Sequence, residues 1–321
     1  MSPRAGRGSD EAKIPLTVRA FVAITDNDWF GFLRRQEGLT EVNFWQPSGG
    51  RQFRALDPGQ PLLFKLHAPH NVIAGGGFFA AFSILPFSIA WETFGVGNGA
   101  PSRDVMRERI ERYRRVPADP QADYPIGCIV LEEPFFLEER DWISVPEDFS
   151  RHTQVGKTYD LTTGLGQALW ERVVGGRALA RSAGAESSEM YGEPTLFRPR
   201  LGQGAFRVLV TDAYDRHCAI TGEKTLPVLE AAHIRPVAHG GAHRLDNGLL
   251  LRSDIHTLFD RGYVSVTPDL QFRVSERLKR DWNNGRVYYA LHGQPIARPS
   301  NHDSCPSPLE LEWHADTVFL G

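Results

Sequence analysis

The chain has 321 residues, of which 41% are hydrophobic and 23% charged, with a net charge of −3 and three cysteines. That length exceeds one average domain and supplies apolar material for two cores. No apolar run reaches the roughly 18 residues of a membrane span, none has the form of a signal peptide, and three scattered cysteines exclude a disulfide scaffold. A soluble protein of the reducing cytoplasm is expected.

Residues 1–13 are polar and aperiodic and read as a disordered tail. Val18 to Ile24 is an apolar, β-rich run that predicts a buried strand. Thr25 or Asp26 can cap a helix through Arg35 whose apolar side holds Trp29, Phe30, Phe32 and Leu33. Glu41 to Trp45 and Pro61 to Lys65 read as strands, the second after a Pro58-Gly59 turn. Val72 to Ala81 carries glycines inside a strand-like pattern, which predicts bulges or close backbone approach. Helices follow over Leu85 to Phe94 and Ser102 to Arg115, then strands over Ile126 to Val130 and Phe135 to Leu137. A loop-rich stretch leads to a helix over Gly164 to Leu179.

Ala183 to Pro199 is rich in Ala, Gly, Ser, Glu and Pro and reads as a linker. The resulting division is 14–175 as a first domain, 176–197 as linker and 198–321 as a second domain. Phe206 to Tyr214 looks helical, and short strands close the chain near Tyr263, Phe272 and Tyr288. From Thr195 to Ser300 there are 15 Lys and Arg against 10 Asp and Glu. This local excess suits a polyanionic partner, although a solvated mixed-charge surface has the same composition.

The chemistry is concentrated in Cys218-Ala-Ile-Thr-Gly222, Leu229-Glu-Ala-Ala-His-Ile-Arg-Pro236, Asn247-Gly-Leu-Leu-Leu251 and His256-Thr-Leu-Phe-Asp-Arg-Gly262. A strand ending at His233, a Gly240-Gly241 loop and a strand from Asn247 lead to a helix with His256 and Asp260 on one face. That geometry suits metal-assisted phosphodiester hydrolysis. His233 is the candidate general base, Asn247 holds the base or its loop through its amide, and His256 is a candidate metal ligand. Arg235 is a candidate phosphate contact. His239 and His243 read as solvated loop residues, and strand alternation points Glu230 away from His233.

The pattern A-A-H-I-x-P, N-G-L-x-L, H-x-x-F-D-x-G resembles the HNH endonucleases of ββα-metal fold. The resemblance implies DNA cleavage with a divalent metal: Mg²⁺ or Mn²⁺, with Co²⁺ and Ni²⁺ as further candidates. Ala232 stands where many members carry a metal-binding Asp or His, which makes Asp260 the candidate second ligand; capping a turn or pairing with Arg261 is the alternative. The paired cysteines of a zinc knuckle are reduced to Cys218, so Cys218 reads as a buried packing thiol and no structural zinc is expected.

The first domain, with its strand–helix start and aromatic-rich strands, resembles the PUA-like group that includes EVE and SRA-type domains. Together the two resemblances describe an α+β protein similar to modification-dependent restriction endonucleases. They imply host defence as its setting, double-stranded DNA bearing modified cytosine as partner, and a pocket for a flipped base. Trp29, Phe30, Trp45 and Trp91 are the candidate pocket aromatics; each also fits a core position. Two other readings stay open: an HNH enzyme that reads unmodified sequence or a phosphorothioate backbone, and a nucleic-acid-binding protein without nuclease activity. One site cuts one strand, so a double-strand break needs two chains. With no heptad seam present, a homodimer would use a globular surface.

Overall fold

A computed structural model describes residues 18–50, 52–114, 119, 121–182 and 201–321. The expected tail over 1–13, and the linker from 183 onward, lie outside the described residues. The remainder is α+β, as expected: an N-terminal sheet domain followed by a smaller ββα-containing domain.

The first domain is built on β1 (Arg19–Thr25), β2 (Glu41–Gln46), β3 (Pro61–Leu66), β4 (Val72–Pro86), β5 (Pro125–Phe136), β6 (Ile143–Ser144) and β7 (Gly156–Asp160). The main path runs β2-β5-β4-β3-β1-β7, with β6 on β4. Only the β1–β3 pairing is parallel. Continuous burial along β3 and most of β4 explains why both read as unbroken apolar runs.

Helix α1 (Asn27–Leu33) starts where expected, with the Asp26 carboxylate accepting from the Trp29 amide at 2.7 Å. Helices α2 (Phe87–Phe94), α3 (Arg103–Tyr113) and α4 (Gly164–Ser182) complete the domain. The glycines of β4 do mark close approach: a Cβ at Gly75 would lie 2.3 Å from the Phe135 carbonyl oxygen.

Two expectations need correction here. Ile126 to Val130 and Phe135 to Leu137 belong to one strand, β5, because it follows β4 through two bulges instead of ending at them. The loop-rich stretch contains β6 and β7, short strands that pairing, not periodicity, creates. Helix α4 continues to Ser182, through the first seven residues of the expected linker.

The second domain opens with α5 (Gln203–Ala213), whose two faces serve different cores. Ala205 and Val208 pack into the N-terminal core, while Phe206 and Val210 pack into the C-terminal one. The antiparallel pair β8 (Leu229–His233) and β9 (Gly248–Arg252) and the helix α6 (Ser253–Asp260) form the ββα unit. A second pair, β10 (Val264–Val266) with β11 (Phe272–Val274), is followed by α7 (Arg277–Trp282), α8 (Arg286–Tyr289) and α9 (Pro308–Thr317). The segment at Tyr288 is thus helical, not a strand. Buried His314 of α9 stacks on Phe259 of α6 with 3.7 Å between ring centroids.

Among the described residues, no helix is long and apolar enough to cross a membrane.

Candidate functional site

His233 ends β8 opposite Gly248, the first residue of β9. Its ring stacks on Phe206 of α5 at 4.0 Å between centroids, with 10° between planes. Gly248 permits this, since a Cβ there would lie 2.5 Å from Val210 and 3.1 Å from Phe206. The start of β9 is therefore a point of close packing beneath the histidine.

The Nε2 atom of His233 lies 2.9 Å from Nδ1 of His243. Burial, with help from neighbouring His243 and His256, pushes the His233 pKa down to about 4. The imidazole is therefore neutral at pH 7, the state a general base requires. When Nε2–H donates to His243, Nδ1 keeps its lone pair, and it has no hydrogen-bond partner among the described residues. His243 is thus no solvated loop residue: the strand-connecting loop folds back to bring it onto His233.

Asn247 is buried and serves the loop rather than the imidazole. Its Oδ1 accepts from the Arg235 amide, and its Nδ2 donates to the carbonyls of Arg235 and Ala242, each at 2.9 Å. Gly241 completes this knot, because a Cβ there would meet the Arg235 carbonyl oxygen at 1.8 Å. The asparagine fixes the path of the chain leaving His233, one of the two tasks expected of it.

On α6, His256 Nδ1 lies 2.6 Å from the Glu230 carboxylate, and its Nε2 lies 3.4 Å from Asp260 Oδ2. Glu230 does face away from His233 along β8, as alternation requires, but that direction carries it onto α6. Asp260 turns to His256 rather than to Arg261, and partial burial, reinforced by the charge of Glu230, pushes its carboxyl pKa up. Among the described residues, no group of three or more His, Cys, Asp and Glu side chains is arranged to hold an ion. The donor set still suits a hard divalent cation. An imidazole oriented by a carboxylate on its far nitrogen sits beside a second carboxylate, and such ions complete their shells with water and phosphate oxygens.

Arg235 is held within the chain. Its Nε donates to the His239 carbonyl at 2.7 Å, and its guanidinium lies over Trp313 at 5.2 Å. Cys218 is buried, as expected, and its Sγ accepts from the Arg252 amide at 3.3 Å.

The N-terminal domain holds an open pocket of about 360 Å³ between the β1 end, β2, the α3 end and the segment before β7. Its aromatic lining is Phe21, Trp29, Phe44, Trp45, Phe53 and Tyr113, with His67 stacked on Tyr113. Asp26 supplies charge, its Oδ2 accepting from the Tyr113 hydroxyl at 2.5 Å. Of the four candidate aromatics, Trp29 and Trp45 reach this cavity. Trp29 is only 2% exposed, with its Nε1 donating to the Asn43 carbonyl, so it forms the floor. Phe30 and Trp91 do not line it: Phe30 projects from the other side of α1, beside His70 and Trp142, and Trp91 packs on the main core. Phe44, Phe53 and Tyr113 escape a sequence reading because loop closure, not periodicity, gathers them.

Together these features define a ββα-type site: a neutral histidine at a strand end, a buried asparagine across the loop, and a histidine and carboxylate on the helix. Residues 218–267 match the family model described as HNH endonuclease. The chain therefore carries an HNH endonuclease domain over those residues. No curated protein matches the chain.

Among solved structures, an ASCH protein from Zymomonas mobilis aligns at 9% identity over 47% of this chain and 94% of that one, with a TM-score of 0.33. A point mutant of it aligns at 10% identity over 47% and 96%, with a TM-score of 0.34. The modification-dependent restriction endonuclease TagI aligns at 12% identity over 92% of this chain and 81% of that one, with a TM-score of 0.29.

Proposed function

We propose that the chain is a modification-dependent DNA endonuclease whose PUA-like N-terminal domain reads a modified cytosine flipped out of the duplex. The observation that carries the nuclease half is the neutral, stacked His233 beside the His256–Asp260 pair. His233 takes the proton of the attacking water. Phe206 and the Asn247-bound loop hold its ring, so little reorganisation accompanies the transfer. His256 and Asp260 would hold the divalent cation, which when bound supplies positive charge to the scissile phosphate and the leaving oxygen. Glu230, accepting from Nδ1–H, keeps His256 in the tautomer whose Nε2, on the Asp260 side, carries the lone pair.

Support for base reading comes from the cavity. Its volume falls at the small end of ligand pockets, its walls are aromatic, and Asp26, Tyr113 and His67 form a contiguous polar edge. A base stacked against Phe44, Trp45 or Tyr113 would present its edge to Asp26, whose carboxylate can accept from an exocyclic amine. A double-strand break requires two such chains on one duplex, because each carries a single His233 site.

The test is one plasmid prepared unmodified, methylated, hydroxymethylated and glucosylated, incubated with Mg²⁺ or Mn²⁺. Cleavage confined to one or more modified forms is expected. Equal cleavage of all forms would overturn base reading and leave the nuclease; no cleavage under any condition would overturn both. Trp45→Ala should weaken binding of the modified form by about 1–3 kcal/mol and leave unmodified DNA unaffected.

A further inference from the structure

Beyond the matched segment, which ends at residue 267, the C-terminal domain carries a feature that the catalytic site does not use. Helices α7 and α8 frame an open groove of about 1090 Å³, lined by Glu276, Lys279, Arg280, Asn283, Arg286 and Tyr289, among others.

Its cations are unengaged. Arg277 pairs with Asp281 at 3.2 Å and Arg273 lies over Phe319, whereas the side chains of Lys279, Arg280 and Arg286 have no ion-pair or hydrogen-bond partner among the described residues. All three are exposed, and Trp282 beside them is 62% exposed. Residues 276–289 contain four Lys and Arg against two Asp and Glu, within a chain of net charge −3. Unpaired cations gathered at one concave surface of an otherwise acidic protein attract a polyanion.

The groove is also braced against the catalytic helix. The Tyr288 hydroxyl donates to Asp254 in the first turn of α6 at 3.0 Å. The Tyr289 hydroxyl donates to the Ser275 carbonyl at 2.8 Å and accepts from the Lys279 amide at 3.1 Å. Left-handed Asn283 and Gly285 make the sharp turn between α7 and α8 that brings Arg286 back beside Lys279 and Arg280. A ligand held here is therefore fixed relative to α6 and the His256–Asp260 pair it carries.

We infer that the α7–α8 groove is a backbone-binding site for duplex DNA, in which Lys279, Arg280 and Arg286 each contact a phosphate and set the position of the strand on the HNH domain. The inference rests on the nuclease reading and adds where the duplex is gripped outside the cut. The contacts carry no sequence information, so they act alike on modified and unmodified DNA.

The test uses full-length protein with His233→Ala to prevent cleavage, titrated with a short duplex at stepped salt concentrations. Replacing Lys279, Arg280 and Arg286 with glutamine should lower the slope of log affinity against log salt by about 3, and each single replacement by about 1. The loss should be equal for modified and unmodified duplexes, with the melting temperature unchanged because all three residues are exposed. An unchanged slope in the triple variant would overturn the groove while leaving the nuclease reading intact, as would binding to single-stranded RNA or an acidic polypeptide with no loss of duplex binding. In parallel, the triple replacement on an intact His233 should reduce plasmid cleavage at moderate salt and recover it at low salt. Absence of cleavage by the unsubstituted protein would count against the nuclease reading, and the salt slope would still decide the groove.

Discussion

Replacing Glu41 with alanine should loosen the joint between the two domains. Glu41 stands at the start of β2, and its carboxylate accepts from the Gly204 and Ala205 amides at 2.6 and 2.9 Å. It thereby caps α5, the helix that carries Phe206 onto His233. Loss of such a cap costs about 1 kcal/mol, and loss of the negative charge at the helix N-terminus about 0.3–1 kcal/mol more. Because the Gly204 and Ala205 amides are buried and would be left without an acceptor, the capping loss should fall at the upper end of its range, about 2 kcal/mol.

One effect opposes these. Glu132 lies directly across the ladder from Glu41, and burial, with the charge of Glu41 contributing, pushes its carboxyl pKa up to about 7. Removing Glu41 relieves that repulsion, so the net loss expected is about 2 kcal/mol. Glu41→Gln keeps one carbonyl acceptor and should lose about half as much. Hydrogen exchange at Gly204 and Ala205 reads the joint locally, and denaturant unfolding reads it globally. A loss under about 0.5 kcal/mol, or unchanged exchange at both amides, would refute the reasoning.

Four further outcomes follow from the same geometry. His233→Ala should cut the cleavage rate by at least about 10²-fold while leaving DNA binding intact. Because the His233 pKa is pushed down to about 4, the wild-type rate should hold level down to about pH 5; a limb centred near 6.5, the free histidine value, would contradict the packing argument. Glu132→Gln should stabilise the fold above pH 7. The raised carboxyl makes the folded state the stronger proton binder between 4.5 and about 7, so the gain should vanish as pH falls through that window. A pH-independent difference between the two proteins would show that Glu132 is not the titrating group. Asp260→Asn should raise the metal concentration needed for half-maximal cleavage by about tenfold and leave the metal-free melting temperature nearly unchanged; the reverse pattern would mark Asp260 as structural.

The sequence alone determined what is local. His233 and His256 sit on the strand and helix their spacing predicts, and Asn247 ends a 3-10 turn one residue before β9, because strand and helix position their side chains by their own periods. Asp26 was legible as a helix cap and Cys218 as a buried thiol for the same reason. Only the tertiary structure decided the groups that act across elements. Glu230 reaches His256 because β8 lies against α6, and Phe206 reaches His233 because α5 crosses the end of the ββα unit. His243 returns to the base because Asn247 and Gly241 tie the loop down. The aromatic cavity likewise draws residues from Phe21 to Val155, so no window of sequence contains it. Alternation and helical period state which way a side chain leaves its own backbone; what it meets depends on how the elements pack, and that is set by burial of the whole chain.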